Sequence, residues 1–146
     1  NMIEIVLHRL IHAVERSVLE MQNALKMTLE IMGKVFKPSV LLKCLLPILS
    51  TLNGTPLQML LNLISKILPY LSSGTLLDAL PDIMPRILVA VKHEKASIRK
   101  EAVFCFVEIY FAVGESVMPY YEQLSIAQRK LLTIYVEKKK KASSYV

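Results

Sequence analysis

Apolar residues recur at helical spacing along almost the whole chain. In the first segment, positions three and four apart form one stripe, which consists of Ile3, Val6, Leu7, Leu10 and Val14. A second stripe occupies one face of residues 17–35 and consists of Val18, Met21, Leu25, Leu29 and Met32. We find no convincing alternation of apolar and polar positions, the pattern typical of a half-buried strand. The chain is therefore predicted to be all-α.

Turn signals divide this pattern into successive helices. The residue before Pro38 is pushed out of the helical region, so the second helix ends there and Ser39 is expected to cap the third. The sequence "LNGTP" predicts a turn before the fourth helix. In "SSGT", Gly74 suits the C-cap of that helix and Thr75 the N-cap of the next.

Prolines and one capping box mark the remaining helices. Pro47 is expected to kink the third helix, and Pro81 and Pro85 to interrupt the fifth. Ser125 and Gln128 form the S-x-x-Q pattern of a capping box, which predicts the start of a last helix.

The spacing of the helices indicates a repeat. Pro47 and Pro85 both precede an apolar helix and lie 38 positions apart. Helix pairs at about this spacing are typical of HEAT and armadillo repeats. We predict an all-α solenoid of about three HEAT helix pairs plus a C-terminal helix, with the domain at residues 1–137 and a basic tail at 138–146.

One helix, "ASIRKEAVFCFVEIY", has apolar residues on nearly every side. Only Glu101 and Glu108 interrupt the apolar run that follows its basic start. Such a helix must be covered on several faces. We expect one neighbour against Phe104, Val107 and Phe111, and another against a second face, formed by Ala102, Phe106, Ile109 and Val113.

The positive charge is concentrated near the C-terminal end. The formal net charge is +6, but four of the 18 basic residues form one run, which leaves 14 basic against 12 acidic residues. The run consists of Lys138, Lys139, Lys140 and Lys141. A nucleic-acid-binding domain would spread its basic residues along one face. The composition therefore does not favour nucleic acid as a partner.

Hydropathy raises the question of a membrane span. The longest uncharged stretch, 44–65, is long enough to cross a bilayer but contains the "LNGTP" turn, so we interpret it as two buried helices. The first residues form a helical pattern with charged positions and do not resemble a signal peptide. No transmembrane segment and a cytoplasmic location are expected.

Few residues of the sequence are candidates for metal binding or catalysis. His8 and His12 have a spacing that can bind zinc, but they also trace the polar face of the first helix, which is the preferred interpretation. Cys44 and Cys105 lie in apolar runs and are expected to be buried, reduced thiols. No nucleophile elbow or phosphate-binding loop is present. We expect no metal, no cofactor and no enzymatic activity.

The residues from about 36 to 141 suggest a family. "RKEAVFCFVEIY" and "KLLTIYV", together with Gly114 and Pro119 between them, resemble the C-terminal end of CLASP proteins, the cytoplasmic linker-associated microtubule regulators. The matching positions include Ser97, Arg99, Lys100, Val103, Phe104, Cys105, Leu131, Leu132 and Tyr135.

This resemblance implies a TOG-like HEAT domain that recruits partners to a microtubule-associated regulator. The implied partners are cytoplasmic linker proteins and proteins of the microtubule plus end, the kinetochore, and cortical or Golgi anchors, which implies a cytoskeletal location on microtubules, spindle and kinetochore. Direct tubulin binding by a TOG domain is the alternative, and an unrelated HEAT scaffold is a more remote one. The chain has no Trp, whereas tubulin-binding TOG domains usually carry one in their first loop, so partner recruitment is preferred.

TOG domains make their contacts through the loops that join the two helices of each repeat. The corresponding loop here is "KHEKAS", so the resemblance implies a partner-binding patch formed by Lys92, Lys95, Arg99 and Lys100. Within it, Arg99 is expected to bond an acidic residue of a neighbouring repeat, and Lys100 to face outward. The four-lysine run is a solvated helix end or tail, or attracts an acidic surface such as a tubulin tail.

The stripe of the first helix has only one following helix to pack on. Terminal repeats normally present a polar outer face. We therefore expect either further repeats before this helix, as in the C-terminal part of a longer array, or a homodimer in which two copies cover each other.

Overall fold

The computed structural model describes residues 1–14 and 19–144, with the side chains of 11–14, 19–22, 25 and 29 left aside. These described residues form helices and turns, and no strand is found among them. The helices are α1 (Met2–Val14), α2 (Leu19–Val35), α3 (Pro38–Leu49), α4 (Gly54–Ile67), α5 (Ser73–Val91), α6 (Ala96–Val113), α7 (Met118–Tyr121) and α8 (Ile126–Ser144). Short 3₁₀ turns at Leu68–Tyr70 and Gly114–Val117 follow α4 and α6.

The chain divides into two compact units, Asn1–Leu71 and Ser72–Val146. Unit 1 holds the pairs α1–α2 and α3–α4, and α1 and α2 also pack against α4. Unit 2 holds the pair α5–α6, with α8 packed against α6. Three helix pairs followed by a C-terminal helix confirm the predicted all-α, HEAT-like solenoid class.

The core of unit 1 comes from the apolar stripes of its helices. Leu7 of α1, Leu41 and Leu45 of α3, and Leu60 and Ile64 of α4 are completely buried. Their three- and four-residue spacing places them on the inner face of each helix. Burial of each such side chain stabilises the fold by about 1.5–3 kcal/mol relative to exposure.

Caps decide where the helices of unit 1 begin. α3 starts at Pro38 and has Lys37 at the N-cap with no side-chain hydrogen bond, so the predicted cap at Ser39 is wrong. Proline at the first helical position supplies a suitable φ and lacks an N–H that would be unpaired there anyway. α4 starts as "LNGTP" predicts: Asn53 Oδ1 accepts from the Gly54 N–H at 2.9 Å, and Gly54 has φ 64°, which favours glycine.

The start of α5 differs from its prediction. The Thr75 N–H donates to Ser72 Oγ at 3.2 Å, and the Ser72 hydroxyl donates to Thr75 Oγ1 at 2.7 Å. Ser72 is therefore the N-cap of α5, and the prediction of Thr75 is wrong. Gly74 lies in the first turn of α5 and, contrary to the prediction, does not end α4. Two acceptable caps stand three residues apart in this sequence, and the earlier one is used.

Pro81 and Pro85 do not interrupt α5, contrary to the prediction. Both prolines lie on the exposed side of the helix. Each removes one backbone N–H donor, and the carbonyl that loses its partner faces the solvent side, where water can replace it. The inner side of α5 carries Ile83, Met84 and Ile87, which are completely buried, so core packing holds the helix together.

α5 and α6 form an antiparallel pair. The Ser73 hydroxyl, at the start of α5, donates to the Ala112 carbonyl, at the end of α6, at 3.0 Å. α6 ends at Gly114, whose φ of 60° is suited to glycine and whose N–H donates to the Tyr110 carbonyl. The end of α6 is thereby fixed against the start of its partner.

Two faces of α6 are covered within unit 2, as its apolar sequence predicts. Phe106 is only 1% exposed, and Ile98, Ala102 and Ile109 are completely buried. On the side of α8, the Phe104 ring meets the Tyr135 ring edge to face, with 5.0 Å between the ring centroids. Such aromatic pairs stabilise a fold by about 0.5–1.5 kcal/mol beyond the contribution of their buried area.

The capping box predicted for α8 is confirmed. The Gln128 N–H donates to Ser125 Oγ at 3.2 Å, and the Ser125 N–H donates to Gln128 Oε1 at 2.8 Å. The two side chains thus satisfy each other's backbone donors at the start of the helix.

One stretch of the described residues, Ala96–Tyr121, is long and apolar enough to cross a membrane by length and composition. This is weak support for a membrane span, because the core helix of a soluble protein passes the same test. The absence of a transmembrane segment therefore stays a prediction.

Replacement of Phe106 by Ala should lower the free energy of unfolding by about 3–5 kcal/mol, since it removes a fully buried aromatic ring. Phe111→Ala is the matched control on the same helix, because Phe111 is 39% exposed and should cost less. Chemical denaturation of both variants measures the difference. A loss below about 1 kcal/mol for Phe106→Ala would contradict the sandwiched position of α6.

Candidate functional site: a lysine-rich surface on α6 and α8

The turn between α5 and α6 is closed by Arg99. Its Nη1 donates to the carbonyls of His93 and Glu94, both at 2.7 Å, and the Lys95 N–H donates to His93 Nδ1 at 3.0 Å. Arg99 is predicted to bond an acidic residue of a neighbouring repeat, whereas these bonds hold the turn of its own helix pair. Arg99 therefore stabilises the turn between α5 and α6.

The three lysines of the predicted patch surround this turn. Lys92 follows the end of α5, Lys95 is the N-cap residue of α6, and Lys100 lies in its first turns. All three are exposed, and so is Glu94 between them. The turn thus presents three positive charges and one negative charge to solvent.

An aromatic pair connects this patch to the lysine run of α8. Lys100 Nζ lies 5.6 Å from the centroid of the Phe104 ring, and Lys138 Nζ lies 5.3 Å from the centroid of the Tyr135 ring. Phe104 and Tyr135 contact each other between the two lysines. We call these four residues the lysine–aromatic ladder. The basic turn before α6 and the lysine run of α8, which are separate in the sequence, meet in this ladder.

Lys139 faces α6 instead of solvent. Its ammonium group forms an ion pair with Glu108 and also lies 4.9 Å from the centroid of the Phe111 ring. The side chains of Lys139 and Glu108 are 32% and 21% exposed, so the pair is partly desolvated. Solvent therefore screens it less than a fully exposed pair, and removal of either partner would leave a partly desolvated charge without its counterion.

The other members of the run have different surroundings. Lys140 forms an ion pair with Glu137 of the same helix at 3.6 Å, and Lys141 is exposed in its last turn. α8 continues to Ser144, so the lysines predicted as a tail are helical. Cations near a helix C-terminus are stabilised by the helix dipole.

The remaining candidate groups form no second site in the described part of the chain. Cys44 and Cys105 are buried and unbridged, as predicted. Among the described residues, no three His, Cys, Asp or Glu side chains lie together in a way that could hold a metal ion. His8 is exposed, and the side chain of His12 lies outside the described residues.

Sequence reasoning missed two contacts that build the surface, Phe104–Tyr135 and Glu108–Lys139. A signal for the second was present, because Glu108 is a charge on a helix with apolar residues nearly all round, and a partly buried charge requires a partner. Helical periodicity shows that Glu108 faces a neighbour, but it does not identify which residue of that neighbour meets it.

The packed helix pairs define a HEAT-like helical repeat protein. The chain is 30% identical over 136 residues, 93% of its length, to CLIP-associated protein from Arabidopsis thaliana. It is 28% identical over 144 residues, 99% of its length, to CLIP-associating protein 1-A from Xenopus laevis. The chain belongs to the CLASP family of CLIP-associating proteins, as its resemblance to that family implies.

A shorter similarity covers part of the chain. It is 36% identical over 69 residues, 46% of its length, to CLIP-associating protein from Drosophila melanogaster. The chain spans 10% of the length of the Arabidopsis and Xenopus relatives and 5% of the Drosophila one. No protein-family model matches the chain.

Lys139→Ala should lower the free energy of unfolding by about 1–3 kcal/mol, since it leaves Glu108 partly desolvated and without its lysine. Lys141→Ala, two positions further on the same helix, is the matched control and should stay within about 0.5 kcal/mol of the unmodified protein. Thermal and chemical denaturation measure both. Equal effects of the two variants would contradict the distinct role of Lys139.

Proposed function

We propose that this chain is a non-enzymatic protein-interaction module of a CLASP-type regulator of microtubules. The observation that carries the proposal is the lysine–aromatic ladder, which joins the turn at Lys92–Lys100 to the lysine run of α8. The names of the relatives describe proteins that associate with CLIP. For this chain, the proposed partners are cytoplasmic linker proteins and proteins of the plus end, the kinetochore, or cortical and Golgi anchors.

The ladder is suited to an acidic segment of a partner protein. A ring face attracts the lysine above it but does not neutralise its charge, so the ammonium N–H groups of Lys100 and Lys138 stay available to a carboxylate. The ring also restricts each long side chain, which reduces the entropy that binding must remove. Lys92 and Lys95 extend the same positive surface along the turn.

Electrostatic attraction of this kind determines how fast and how selectively partners associate. The surface presents Lys92, Lys95, Lys100 and Lys138, and Glu94 is the acidic residue of the turn itself. Binding through it should therefore weaken as salt is added, because exposed charges are screened.

Direct tubulin binding by a TOG-like domain is the second candidate. It is favoured by the exposed lysines of α8, since an acidic tubulin tail has the complementary charge. The absence of Trp from the chain disfavours it. In either case the proposed location is the cytoplasm and the microtubule cytoskeleton.

The first step of the test is to capture a partner from cell extract with this chain and identify it by mass spectrometry. Lys100→Glu and Lys138→Glu should then each weaken binding of that purified partner about tenfold, with the melting temperature nearly unchanged, because exposed charges contribute under about 1 kcal/mol to stability. Lys43→Glu, at an exposed lysine of α3, is the charge-matched control and should bind normally.

Arg99→Glu should behave differently, because it removes two hydrogen bonds of the turn and so should lower both stability and binding. Unchanged affinity in Lys100→Glu and Lys138→Glu would refute the ladder as the binding surface. Co-sedimentation with microtubules separates the two candidates. Saturable binding at low micromolar concentration that Lys138→Glu abolishes would establish the tubulin-binding alternative.

A further inference from the structure

A second surface lies on the outward side of α8. Ile126 is 73% exposed and Ile134 is 52% exposed, and they stand eight positions apart on the same helix. Eight residues advance an α-helix by about 12 Å and a little more than two turns, so the two positions differ by about 80° around the helix axis. The outward side of a surface helix is normally polar. Here it carries two exposed isoleucines.

These isoleucines form one wall of an open groove. The groove has a volume of about 500 Å³ and is lined by Tyr121 of α7 together with Ile126, Arg129, Lys130, Thr133 and Ile134 of α8. Tyr121 lines the groove together with these residues of α8, and the groove is shallow and open to solvent. A hydrophobic groove is a typical docking site for an amphipathic helix of a partner.

Arg129 gives the groove a fixed positive charge. Its Nη2 donates to the Glu122 carbonyl at 2.6 Å, and its guanidinium carbon lies 5.3 Å from the centroid of the Tyr121 ring. Its Nε is buried and has no hydrogen-bond partner. The guanidinium is therefore held in place before any partner arrives, and one of its donors is still unpaired.

The two charged residues that line the groove, Arg129 and Lys130, are both positive. Lys130 is exposed on its rim, and none of the six lining residues is acidic. Glu137, one turn beyond Ile134 on the same side, forms an ion pair with Lys140 at 3.6 Å. The groove thus combines two apolar isoleucine side chains with two positive charges.

We propose that this groove docks an acidic amphipathic helix of a partner protein. The partner's apolar side chains would cover Ile126 and Ile134, and its carboxylates would meet Arg129 and Lys130. A second copy of this chain is disfavoured as occupant, because a symmetric contact would bring the two basic rims together. A membrane surface is disfavoured because the apolar strip holds only two isoleucines, and Thr133 interrupts it.

The groove is separate from the lysine–aromatic ladder. On α8, Tyr135 and Lys138 lie on the side of Phe104 of α6, whereas Ile126, Lys130 and Ile134 lie on the side of Tyr121. The proposal therefore goes beyond the function proposed above. Ile126 and Lys130, the groove positions changed in the test, lie two turns or more from Lys138 along α8.

The test uses a fluorescent synthetic peptide that forms an amphipathic helix with Leu on one side and Glu on the other. Fluorescence polarisation should show saturable binding to the unmodified chain. Ile126→Glu and Lys130→Glu should each weaken it at least about tenfold. Val89→Glu is the matched control for the first variant, because Val89 is also 73% exposed, and Lys43→Glu is the control for the second. Both controls should bind as the unmodified chain does.

A peptide of the same composition with its Leu and Glu positions scrambled should bind weakly, since it lacks a continuous apolar side. Equal binding of the scrambled peptide, or equal loss in the two control variants, would reduce the effect to unspecific charge attraction and overturn the proposal. Binding to vesicles of anionic lipid that Ile126→Glu abolishes, without binding of the helical peptide, would assign the groove to a membrane. Self-association in light scattering that Ile126→Glu abolishes would assign it to a second copy.

Discussion

The need to cover α6 determines the structure of unit 2. This helix has apolar residues on nearly every side, so no single neighbour can bury it. α5 packs along one side through an antiparallel pairing, and α8 packs on another through Tyr135 and Leu132, which is 5% exposed. On the α8 side, the Glu108 carboxylate is matched by Lys139. Apolar cover and charge pairing thus select the same position for α8.

Both proposed surfaces follow from that position. When Lys139 meets Glu108, the next lysine back, Lys138, comes to lie over the Tyr135 ring, and Tyr135 contacts the ring beneath Lys100. The opposite side of α8 is then turned away from α6 and exposes Ile126 and Ile134 beside Tyr121. One packing arrangement therefore produces a basic surface on one side of the helix and a basic, partly apolar groove on the other.

The sequence predicts the helices and their pairing well, because apolar periodicity, turn signals and the capping box at Ser125 are all local. One error arises where two local signals compete, since Ser72 and Thr75 are both acceptable N-caps for α5. Another arises because core packing outweighs a local signal: α5 continues through Pro81 and Pro85 although each removes a backbone hydrogen bond. The site is predicted less completely. Its lysines are visible in the sequence, but their meeting through Phe104 and Tyr135 depends on long-range packing that periodicity does not specify.

Hydrogen exchange of the backbone amides tests most directly whether α6 is covered as described. Amides in the middle of a helix that neighbours cover should exchange only when the whole unit unfolds. We expect the amides of Ala102–Ile109 to exchange most slowly in unit 2, and the amides of Lys140–Ser144, at the exposed end of α8, to exchange much faster. Exchange of the α6 amides as fast as those of Lys140–Ser144 would contradict the central claim.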